Sequence, residues 1–472
     1  MKAFSTWFDP RFMGKILACV PALFLFAGPE CPLSHAATLD VGPSGYPYTT
    51  IQSAVNAAGP GDLVYVHNGS YFENVTVDRA IRVVGEGRPY TGGDMDVPDI
   101  VVNSIDSDVP VFTVTADGVE ITGFCVLYAT EASAISLLEV NHCLIRDIYT
   151  CPDLPGSFAY NQNGIFLYGS SQNTIKNNWL WHVENDGIKL SSSNSNVLEN
   201  NFSRYCGDQG IELDTSSSNI IQSGYIYDCN VGVYMNNSHN NVLEDIGIVE
   251  PSVSGMSLQQ CQGNVIRLNH IYYAPYNGIY LLQSDWNKLH KNLMNSGMES
   301  GIFLHYSDWN QVVENTISSN TNGIRIGEST YNRMYLNTLK DNTNNVNSSG
   351  SVNDWVSPIR IWYGYETNIP FQISLMGNYY SDHDHKDTPS GYWPADGITD
   401  ADYDLPGSEP DDYYPLAKEN IYYYGDIFCP SVWTFSEDVS TLVLESLTIG
   451  NHASLGSGSV ILEAGTLFIG GR

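Results

Sequence analysis

The feature that most constrains this chain is a glycine that returns every 22 or 23 residues through its middle. An asparagine stands nine residues after each of these glycines, and a register kept over eight units is not a chance event. Repeats of this length are typical of solenoids, in which each unit stacks on the unit before it. The glycines are Gly164, Gly187, Gly210, Gly232, Gly255, Gly278, Gly301 and Gly323. The asparagines are Asn173, Asn196, Asn219, Asn241, Asn264, Asn287, Asn310 and Asn332.

Apolar residues occupy the first and third positions after each glycine, as Ile188 and Leu190 do. Alternation of this kind buries one face of a strand and exposes the other. Two further apolar columns stand eleven and sixteen residues after the glycine, and Ser203 is an exception in the later column. Three short strands separated by corners therefore build one triangular coil.

We predict an all-β protein, a right-handed single-stranded parallel β-helix with coils of 22–23 residues. Leucine-rich repeats have a similar period but need a return segment with its own leucines, and helical repeats do not alternate with period two. The asparagine columns are predicted to be ladders whose amides hydrogen-bond along the stack. Residues 48–58 are predicted to form a short amphipathic helix that caps the open end of the first coil.

The first 36 residues are predicted to be an export signal. Lys2, Arg11 and Lys15 form a basic start, an apolar run of about a dozen residues follows, and a small-x-small site ends at Ala36. Such a run is short for a membrane span, although a retained membrane anchor is the alternative. We therefore expect a secreted, periplasmic or cell-surface protein that is not inserted in a membrane once the signal is removed.

The rest of the chain is predicted to contain two parts. Residues 37–420 form the β-helix, with regular coils at about 164–345 and an acidic, loop-rich end at 377–417. Residues 421–472 return to short alternating strands with glycine corners, and they are predicted to form a cap or a second short solenoid.

The composition is strongly acidic, with 52 Asp and Glu against 20 Lys and Arg and a formal net charge of −32. A surface of this charge repels nucleic acid and polyanionic surfaces unless cations mediate the contact. We therefore predict no nucleic-acid partner. The simplest consequence of the charge is solubility outside the cell.

Two segments carry a family resemblance. Residues 48–77 read YTTIQSAVNAAGPGDLVYVHNGSYFENVTV, and residues 377–407 read GNYYSDHDHKDTPSGYWPADGITDADYDLPG. With the repeats between them they resemble NosD-like and other pectin-lyase-like β-helices, over about residues 38–417. The resemblance implies repeats of the carbohydrate-binding and sugar-hydrolase type. It is specific for the fold and much less so for function, because the same coil carries both binders and enzymes.

The outward position two residues after each glycine provides the main candidate binding surface. Four of its eight occupants are aromatic, and aromatic faces stack on sugar rings while nearby polar groups bond to hydroxyls. We predict that a polysaccharide binds along this face. The alternative is that these aromatics only stabilise neighbouring strands. The four residues are Phe166, Tyr234, Tyr280 and Phe303.

Acidic residues near the second and third regular glycines form a candidate catalytic cluster. Asp186, Asp208 and Glu212 are predicted to share one neighbourhood with Lys189. Inverting glycosidases need an acid and a base roughly 6.5–9.5 Å apart, and lyases and epimerases need a base beside a neutralised uronate. Residues 185–188 are loosely similar to polygalacturonase strand motifs, but the paired-aspartate, His-Gly and Arg-x-Lys elements of those enzymes are missing. The alternative is an ordinary ion pair between Lys189 and Glu212.

Asp396, Asp400, Asp402 and Asp404 resemble a calcium-binding loop, because hard cations prefer several oxygen ligands. The full EF-hand pattern is missing, so a solvated acidic loop is the alternative. Calcium is the one cofactor that the sequence suggests.

The NosD resemblance also implies a role in copper-site maturation in nitrous-oxide reductase. Copper handling favours clustered Met, Cys or His, and the one short candidate is the pair His383 and His385. Cys206 and Cys229 stand nineteen residues after their glycines on adjacent coils. They are predicted to form either a disulfide or a stacked pair of buried thiols.

We therefore predict a secreted or periplasmic β-helix protein that binds carbohydrate along one sheet face. The first alternative is a polysaccharide lyase, glycoside hydrolase or epimerase on the same scaffold. The second is a structural cell-surface protein or a NosD-like copper accessory protein. Two carboxylates and a basic residue in one groove would favour the enzyme, and an aromatic strip without them would favour the binder.

Overall fold

The structure, a computed structural model, confirms the predicted all-β parallel solenoid with coils of about 23 residues. It describes residues 36–86, 100–150, 160–364, 372–383, 387, 398–399, 401–406 and 409–418, together with five short strands beyond residue 421. In the described part, parallel strands stack into three long faces that surround one continuous apolar core.

The front sheet contains the strands that follow the repeated glycines, and it has twelve described parallel strands, one from each coil. Its strands are Val75–Val77, Phe112–Val114, Ile135–Leu138, Ile165–Tyr168, Ile188–Ser191, Gln209–Asp214, Val231–Asn236, Ser254–Gln259, Asn277–Leu282, Ser300–His305, Asn322–Gly327 and Asn344–Ser349.

The second and third sheets are joined, because the strands Glu120–Leu127 and Leu144–Tyr149 run through both of them. The other strands of the second sheet are Thr38–Val41, Leu63–Val66, Arg82–Gly85, Thr174–Lys176, Val197–Glu199, Ile220–Gln222, Val242–Glu244, Val265–Arg267, Lys288–His290, Gln311–Val313 and Arg333–Tyr335. The other strands of the third sheet are Gly69–Phe72, Ile100–Asn103, Trp179–Trp181, Phe202–Arg204, Tyr225–Tyr227, Gly247–Val249, His270–Tyr272, Leu293–Asn295, Thr316–Ser318, Thr338–Lys340 and Tyr379–Tyr380.

The remaining described strands lie near the C-terminal end of the sequence. Ile361–Gly364 pairs in antiparallel fashion with Gln372–Ser374 and with Tyr422–Tyr423. Beyond them, four described strands form two parallel pairs, and the role of residues 421–472 as a cap or second solenoid stays a prediction. The first pair is Thr441–Leu444 with Ser459–Leu462, and the second is Leu447–Ile449 with Leu467–Ile469.

The repeated glycine is required by close contact between coils. A Cβ atom added to Gly232 would lie 2.5 Å from the carbonyl oxygen of Gly255 in the next coil and 2.6 Å from a methyl group of Ile248. Both distances are far below van der Waals contact, so a side chain at this position would push the coils apart. The apolar columns fill the interior as predicted. Ser203 is also buried, and its hydroxyl is satisfied there because it donates to the carbonyl of Gly210 at 2.9 Å.

In each regular coil, four residues at the corners adopt a positive φ. In the coil that begins at Gly278 these residues are Gln283, Trp286, Lys291 and Ser296. The left-handed conformation is unfavourable for residues other than glycine, so the stacked coils have to compensate for it. The period-two pattern shows where a corner falls but does not show this conformation.

The predicted asparagine ladders are present. In the first asparagine ladder, the column nine residues after the glycines, the side-chain nitrogen of Asn241 donates to Asn264 Oδ1 at 3.1 Å and its backbone nitrogen donates to the same oxygen at 2.8 Å. The second asparagine ladder stands fourteen residues after the glycines and repeats this geometry, for example between Asn269 and Asn292. A serine ladder three residues before the first asparagine ladder, in the same corner, was not predicted: the backbone nitrogen of Ser284 donates to the hydroxyl of Ser307 at 3.0 Å.

Both asparagine ladders end on a buried carboxylate from the acidic C-terminal segment. Glu409 accepts bonds from the backbone and side-chain nitrogens of Asn353, each at 2.8 Å. Asp412 accepts bonds from the backbone nitrogen of Asn378 at 2.8 Å and from the hydroxyl of Tyr380 at 3.3 Å. A carboxylate is suited to this place because it accepts bonds without needing to donate any.

The N-terminal end is closed by the predicted helix, which runs from Ile51 to Ala57. Its buried face includes Ile51 and Val55, and Thr50 accepts a bond from the backbone nitrogen of Ser53 at 3.3 Å. Glu73 accepts the first backbone nitrogen of the helix at 2.7 Å, as an acidic group at a helix N-terminus does. Cys206 and Cys229 are buried free thiols, so the thiol alternative is the one observed. No helix among the described residues is long and apolar enough to cross a membrane.

Candidate functional site

The column two residues after the glycines forms one continuous line across the front sheet. Strand register pairs each member with the next, so consecutive side chains lie one strand spacing apart, about 4.8 Å. All of its members except the buried Ser257 are partly exposed. In order the line reads Phe166, Lys189, Glu212, Tyr234, Ser257, Tyr280, Phe303 and Arg325.

The structure brings three of the four predicted catalytic residues together. Lys189 Nζ lies 3.4 Å from Asp186 Oδ2 and 2.5 Å from Glu212 Oε2. Asp186 is only 2% exposed and also accepts the backbone nitrogen of Gln209 at 3.1 Å. Lys189 and Glu212 reach the surface above it. We call these three residues the charged cluster.

Burial raises the pKa of Asp186 to about 7, and the neighbouring carboxylate of Glu212 adds to the rise while Lys189 opposes it. Burial acts to lower the pKa of Lys189, but the hydrogen bond to Glu212 and the charge of Asp186 outweigh it, so that pKa is raised. Two carboxylates that contact one ammonium at these distances are closer together than the roughly 6.5–9.5 Å of an inverting pair. The charged cluster therefore lacks the spacing of an inverting glycosidase.

Asp208 bonds away from the charged cluster. Its Oδ1 accepts the side-chain nitrogens of Gln209 at 2.7 Å and of Asn230 at 3.3 Å. Tyr234 lies one strand beyond Glu212, and burial, followed by the charge of Glu212, raises the pKa of its hydroxyl. The cluster is therefore continuous with Tyr234 on one side and with Phe166 on the other.

A compact group of rings lies farther along the front sheet. The rings of Tyr280 and Phe303 are 5.2 Å apart, Phe303 and His305 are 5.2 Å apart, and His305 and Tyr306 are 4.4 Å apart. Tyr280 Oη and His305 Nδ1 lie 3.2 Å from each other, within hydrogen-bond distance. The guanidinium of Arg325 lies 4.4 Å from the centre of the Phe303 ring. We call Tyr280, Phe303, His305 and Tyr306 the front aromatic patch.

The four aromatic residues predicted to bind sugar are thus not one strip. Ser257 separates Tyr234 from Tyr280, and two charged residues separate Tyr234 from Phe166. Within the patch, Tyr280 and Arg325 lie on opposite sides of Phe303, so both faces of that ring are covered. The exposed apolar area of the patch comes largely from Tyr306, which is 53% exposed.

Tyr306 and Arg325 were missed as members of a binding site. Tyr306 occupies a corner five residues after its glycine, outside the alternating pattern that defines the sheet face. The one sequence signal that pointed to Tyr306 was the run from Phe303 to Tyr306, which contains three aromatic rings if His305 is counted.

Two of the predicted calcium ligands, Asp396 and Asp400, lie outside the described residues, and the other two, Asp402 and Asp404, are exposed. Within the described part of the chain no three His, Cys, Asp or Glu side chains are grouped in a way that could hold a metal ion. Calcium binding by this loop stays a prediction. Of the histidines considered for copper, His385 is outside the described residues, and His383 Nε2 lies 3.1 Å from Thr399 Oγ1.

The sequence of the coils has relatives. Residues 111–224 and 163–317 match the protein family described as the right handed beta helix region. This match and the three stacked faces together identify the coil as right-handed. The described part of the chain is therefore a right-handed parallel β-helix. No curated protein resembles it closely enough in sequence to count as a relative.

Solved structures with similar coils include three that act on or bind carbohydrates by their descriptions. The A-module of the Azotobacter vinelandii mannuronan C-5 epimerase AlgE6 is 12% identical with a TM-score of 0.43, over 64% of this chain and 94% of its own. The catalytic domain of a GH87 α-1,3-glucanase in complex with nigerose is 14% identical with a TM-score of 0.49, over 68% of both chains. DFA-IIIase from Arthrobacter chlorophenolicus A6 is 14% identical with a TM-score of 0.47, over 68% of this chain and 92% of its own. Likeness at this level carries no argument about activity.

Proposed function

We propose that this protein binds a glycan on the front sheet of the β-helix, through the front aromatic patch. The observation that carries the proposal is the contact of four rings on two neighbouring strands and the corner after them, with Tyr306 53% exposed. Exposed aromatic surface next to fixed polar groups is the usual composition of a sugar-binding site, because a sugar ring has apolar C–H faces and polar edges.

Polar groups of known position surround the patch. The Tyr280 hydroxyl and His305 Nδ1 are 3.2 Å apart, so either can also meet a sugar hydroxyl. Arg325 Nη1 donates to Glu299 Oε1 at 2.7 Å beside the patch. Both side chains of that ion pair are partly exposed, at 37% and 47%. The patch therefore offers donors and acceptors next to its apolar area.

The net charge of the chain favours neutral glycans over acidic ones. Its formal net charge is −32, and the Arg325 guanidinium near the patch is already neutralised by Glu299. Long-range repulsion disfavours polyuronides and sulfated polymers at low ionic strength. We therefore propose a neutral glycan as the ligand of the front aromatic patch.

Affinity electrophoresis tests the proposal, with galactomannan, xyloglucan, hydroxyethyl cellulose, pullulan, alginate and polygalacturonate each cast into the gel. At least one neutral polymer should retard the native protein. Tyr306→Ala, and separately Tyr280→Ala combined with Phe303→Ala, should reduce that retardation. Tyr225→Ala is the matched control, because Tyr225 is a 38% exposed aromatic residue on the third sheet. Equal retardation of the double variant and the control would contradict the proposal. Tyr234→Ala, made separately, tests whether the ligand extends toward the charged cluster.

The second candidate function is catalysis on a polysaccharide, and the charged cluster favours it. A buried carboxyl with a pKa of about 7 beside a lysine is unusual away from functional sites, and such a group exchanges protons at neutral pH. Because Asp186 is only 2% exposed, Lys189 and Glu212 would contact the substrate while Asp186 sets their protonation. The native protein should then release reducing or unsaturated ends from a polysaccharide panel, and Lys189→Met should abolish the release. If the native protein releases neither product, catalysis is excluded for that panel.

We also propose export from the cytoplasm, which the basic start, apolar run and small-x-small site of residues 1–36 support. Almost all of this segment lies outside the described residues. N-terminal sequencing of protein recovered from the medium or the periplasm should begin near Ala37. Recovery of the full-length chain in the cytoplasm would contradict export.

A further inference from the structure

Three exposed aromatic side chains stack on one another at the corner between the front and second sheets. The rings of Trp286 and Trp309 lie 5.1 Å apart with 4° between their planes, and those of Trp309 and Tyr331 lie 4.6 Å apart with 16° between their planes. Trp286, Trp309 and Tyr331 are 56%, 44% and 59% exposed. We call them the corner stack. Contiguous exposed apolar surface is uncommon on soluble proteins and usually marks a binding site.

The corner stack ends at a glycine. Gly263 occupies the same corner position one coil before Trp286, and both residues have a positive φ. Because the stacked rings are nearly parallel and follow the coil spacing, the second face of Trp286 is turned toward Gly263. Glycine has no side chain, so no ring from that coil covers this face.

An amide forms the opposite side of the resulting gap. Asn240 holds the corner position one coil before Gly263, and a Cβ atom on Gly263 would lie 2.5 Å from Asn240 Oδ1. The backbones of Asn240 and Trp286 are two strand spacings apart, roughly 10 Å. A sugar ring in contact with an indole needs about 4 Å, and a hydrogen bond to an amide needs about 3 Å. We call the gap between Trp286 and Asn240 the corner slot.

The side chains around the corner slot are polar, and they include His239 beside Asn240, whose Nδ1 accepts the backbone nitrogen of Gln262 at 3.1 Å. Gln260 Nε2 donates to Gln283 Oε1 at 3.5 Å, and Gln262 is exposed. Asp285 Oδ1 accepts the backbone nitrogen of Asp308 at 2.7 Å. The four corner segments of these coils hold three carboxylates and no Lys, Arg or His. These segments are residues 260–264, 283–287, 306–310 and 328–332.

We propose that the corner slot is a second glycan site, in which one ring of a neutral glycan stacks on Trp286 and bonds to the amide of Asn240. An indole face, several amides and a carboxylate match the apolar faces and the hydroxyls of a neutral sugar. The carboxylates without a basic partner exclude uronic acids and phosphosugars. The two groups that form the slot, Trp286 and Asn240, are not members of the front aromatic patch, although Tyr306 of that patch shares a corner with Trp309 of the corner stack.

The test uses the full-length mature protein and two readouts. Retardation in gels that contain galactomannan, xyloglucan, hydroxyethyl cellulose or pullulan measures binding, and quenching of tryptophan fluorescence by the same polymers reports contact with an indole. Trp286→Ala should reduce the affinity by about 5- to 150-fold, because stacking of a nucleic-acid base on an aromatic side chain is worth about 1–3 kcal/mol and a sugar ring on an indole is comparable. Gly263→Asn should do the same without removing any ring. The left-handed backbone of that corner accepts asparagine, since Asn240 holds the equivalent position at φ 55°, and the new side chain displaces the Asn240 amide, whose Oδ1 would otherwise lie 2.5 Å from the added Cβ atom.

The controls separate the two glycan proposals. Tyr225→Ala should bind as the native protein does, and melting temperatures of all variants should agree within a few degrees. If Tyr280→Ala with Phe303→Ala loses binding while Trp286→Ala and Gly263→Asn keep it, the corner slot is refuted and the front aromatic patch stands. The reverse pattern refutes the patch. Absence of binding to every neutral polymer refutes the corner slot, as does a change in oligomeric state of Trp286→Ala, which would assign the stack to contact between copies of the chain.

Discussion

Replacing Asn264 with alanine would remove one member from the middle of the first asparagine ladder. Its side-chain nitrogen donates to the carbonyl of Ser238 at 3.1 Å and to Asn287 Oδ1 at 3.0 Å. Its Oδ1 accepts the backbone nitrogen of Asn241 at 2.8 Å and the side-chain nitrogen of Asn241 at 3.1 Å. All four residues are fully buried, so water cannot replace these bonds.

The cost follows from the groups that lose their partners. In the alanine variant the backbone nitrogen of Asn241 and the carbonyl of Ser238 stay buried without a hydrogen bond. Each unsatisfied buried group costs about 1–3 kcal/mol, so the free energy of unfolding should fall by about 2–6 kcal/mol. Gln262→Ala is the matched control, because Gln262 is an exposed amide two residues away in the same corner, and its loss should cost less than about 0.5 kcal/mol.

Urea unfolding followed by circular dichroism measures both variants against the native chain. The comparison requires that the slope of the free energy of unfolding against urea concentration is the same for each variant. A changed slope would mean that the coils no longer unfold together. A loss for Asn264→Ala within about 1 kcal/mol of the loss for Gln262→Ala would refute the reasoning. The ladder would then be an arrangement of side chains that contributes little to stability.

Three further outcomes can be measured in the same way. Lys189→Met removes the cation between two carboxylates and leaves the buried Asp186 without its ion pair. The free energy of unfolding should fall by about 1–3 kcal/mol, which is less than for a fully buried pair because Lys189 is partly exposed. No loss would mean that these ion contacts do not stabilise the protein. Burial raises the pKa of Asp412 to about 7. The stabilisation that Asp412 contributes is therefore fully present below the unfolded pKa of about 3.9 and is lost as the pH rises through about 7. The melting temperature of the native protein should accordingly fall more steeply between pH 5 and pH 8 than that of Asp412→Asn. Gly255→Ala places a Cβ atom 2.4 Å from a methyl group of Ile271 in the same coil and 2.6 Å from the carbonyl oxygen of Gly278 in the next, so it should cost about 1–3 kcal/mol in urea unfolding. Gly59→Ala, with its nearest atom at 3.5 Å, should cost under about 1 kcal/mol.

The sequence predicted the coil because its signals are repeated and local. Gly232 is fixed by contact with the next coil, and Asn264 is fixed by bonds to both neighbouring coils, so each residue type is required again one period later. The corner conformation could not be predicted in the same way. Trp286 adopts a φ of 61° at a position where Asn240 and Gly263 also adopt positive values, and no property shared by these three side chains indicates that backbone.

The candidate site was predicted less completely, because the column gives the position of a side chain but not its direction. Asp208 was assigned to the catalytic cluster, yet it bonds to Asn230 in the next coil. Phe303 was correctly placed on the outward face, but Arg325 and Tyr280 cover its ring. Asp412 belongs to the segment predicted to be loop-rich, and its carboxylate turns inward to the end of a ladder.

The backbone hydrogen bonds of the first asparagine ladder all have the same direction. Each of its asparagines donates its backbone amide to the next member toward the C-terminal end, from Asn173 to Asn196 at the beginning and from Asn332 to Asn353 at the end, so only the final member needs an acceptor that comes from outside the repeat. The groups that close the two ends of the β-helix therefore do not depend on the number of coils between them. A protein built in this way can change its length by whole coils, through duplication or deletion of about 23 residues, without any change to the helix that closes one end or the carboxylates that close the other.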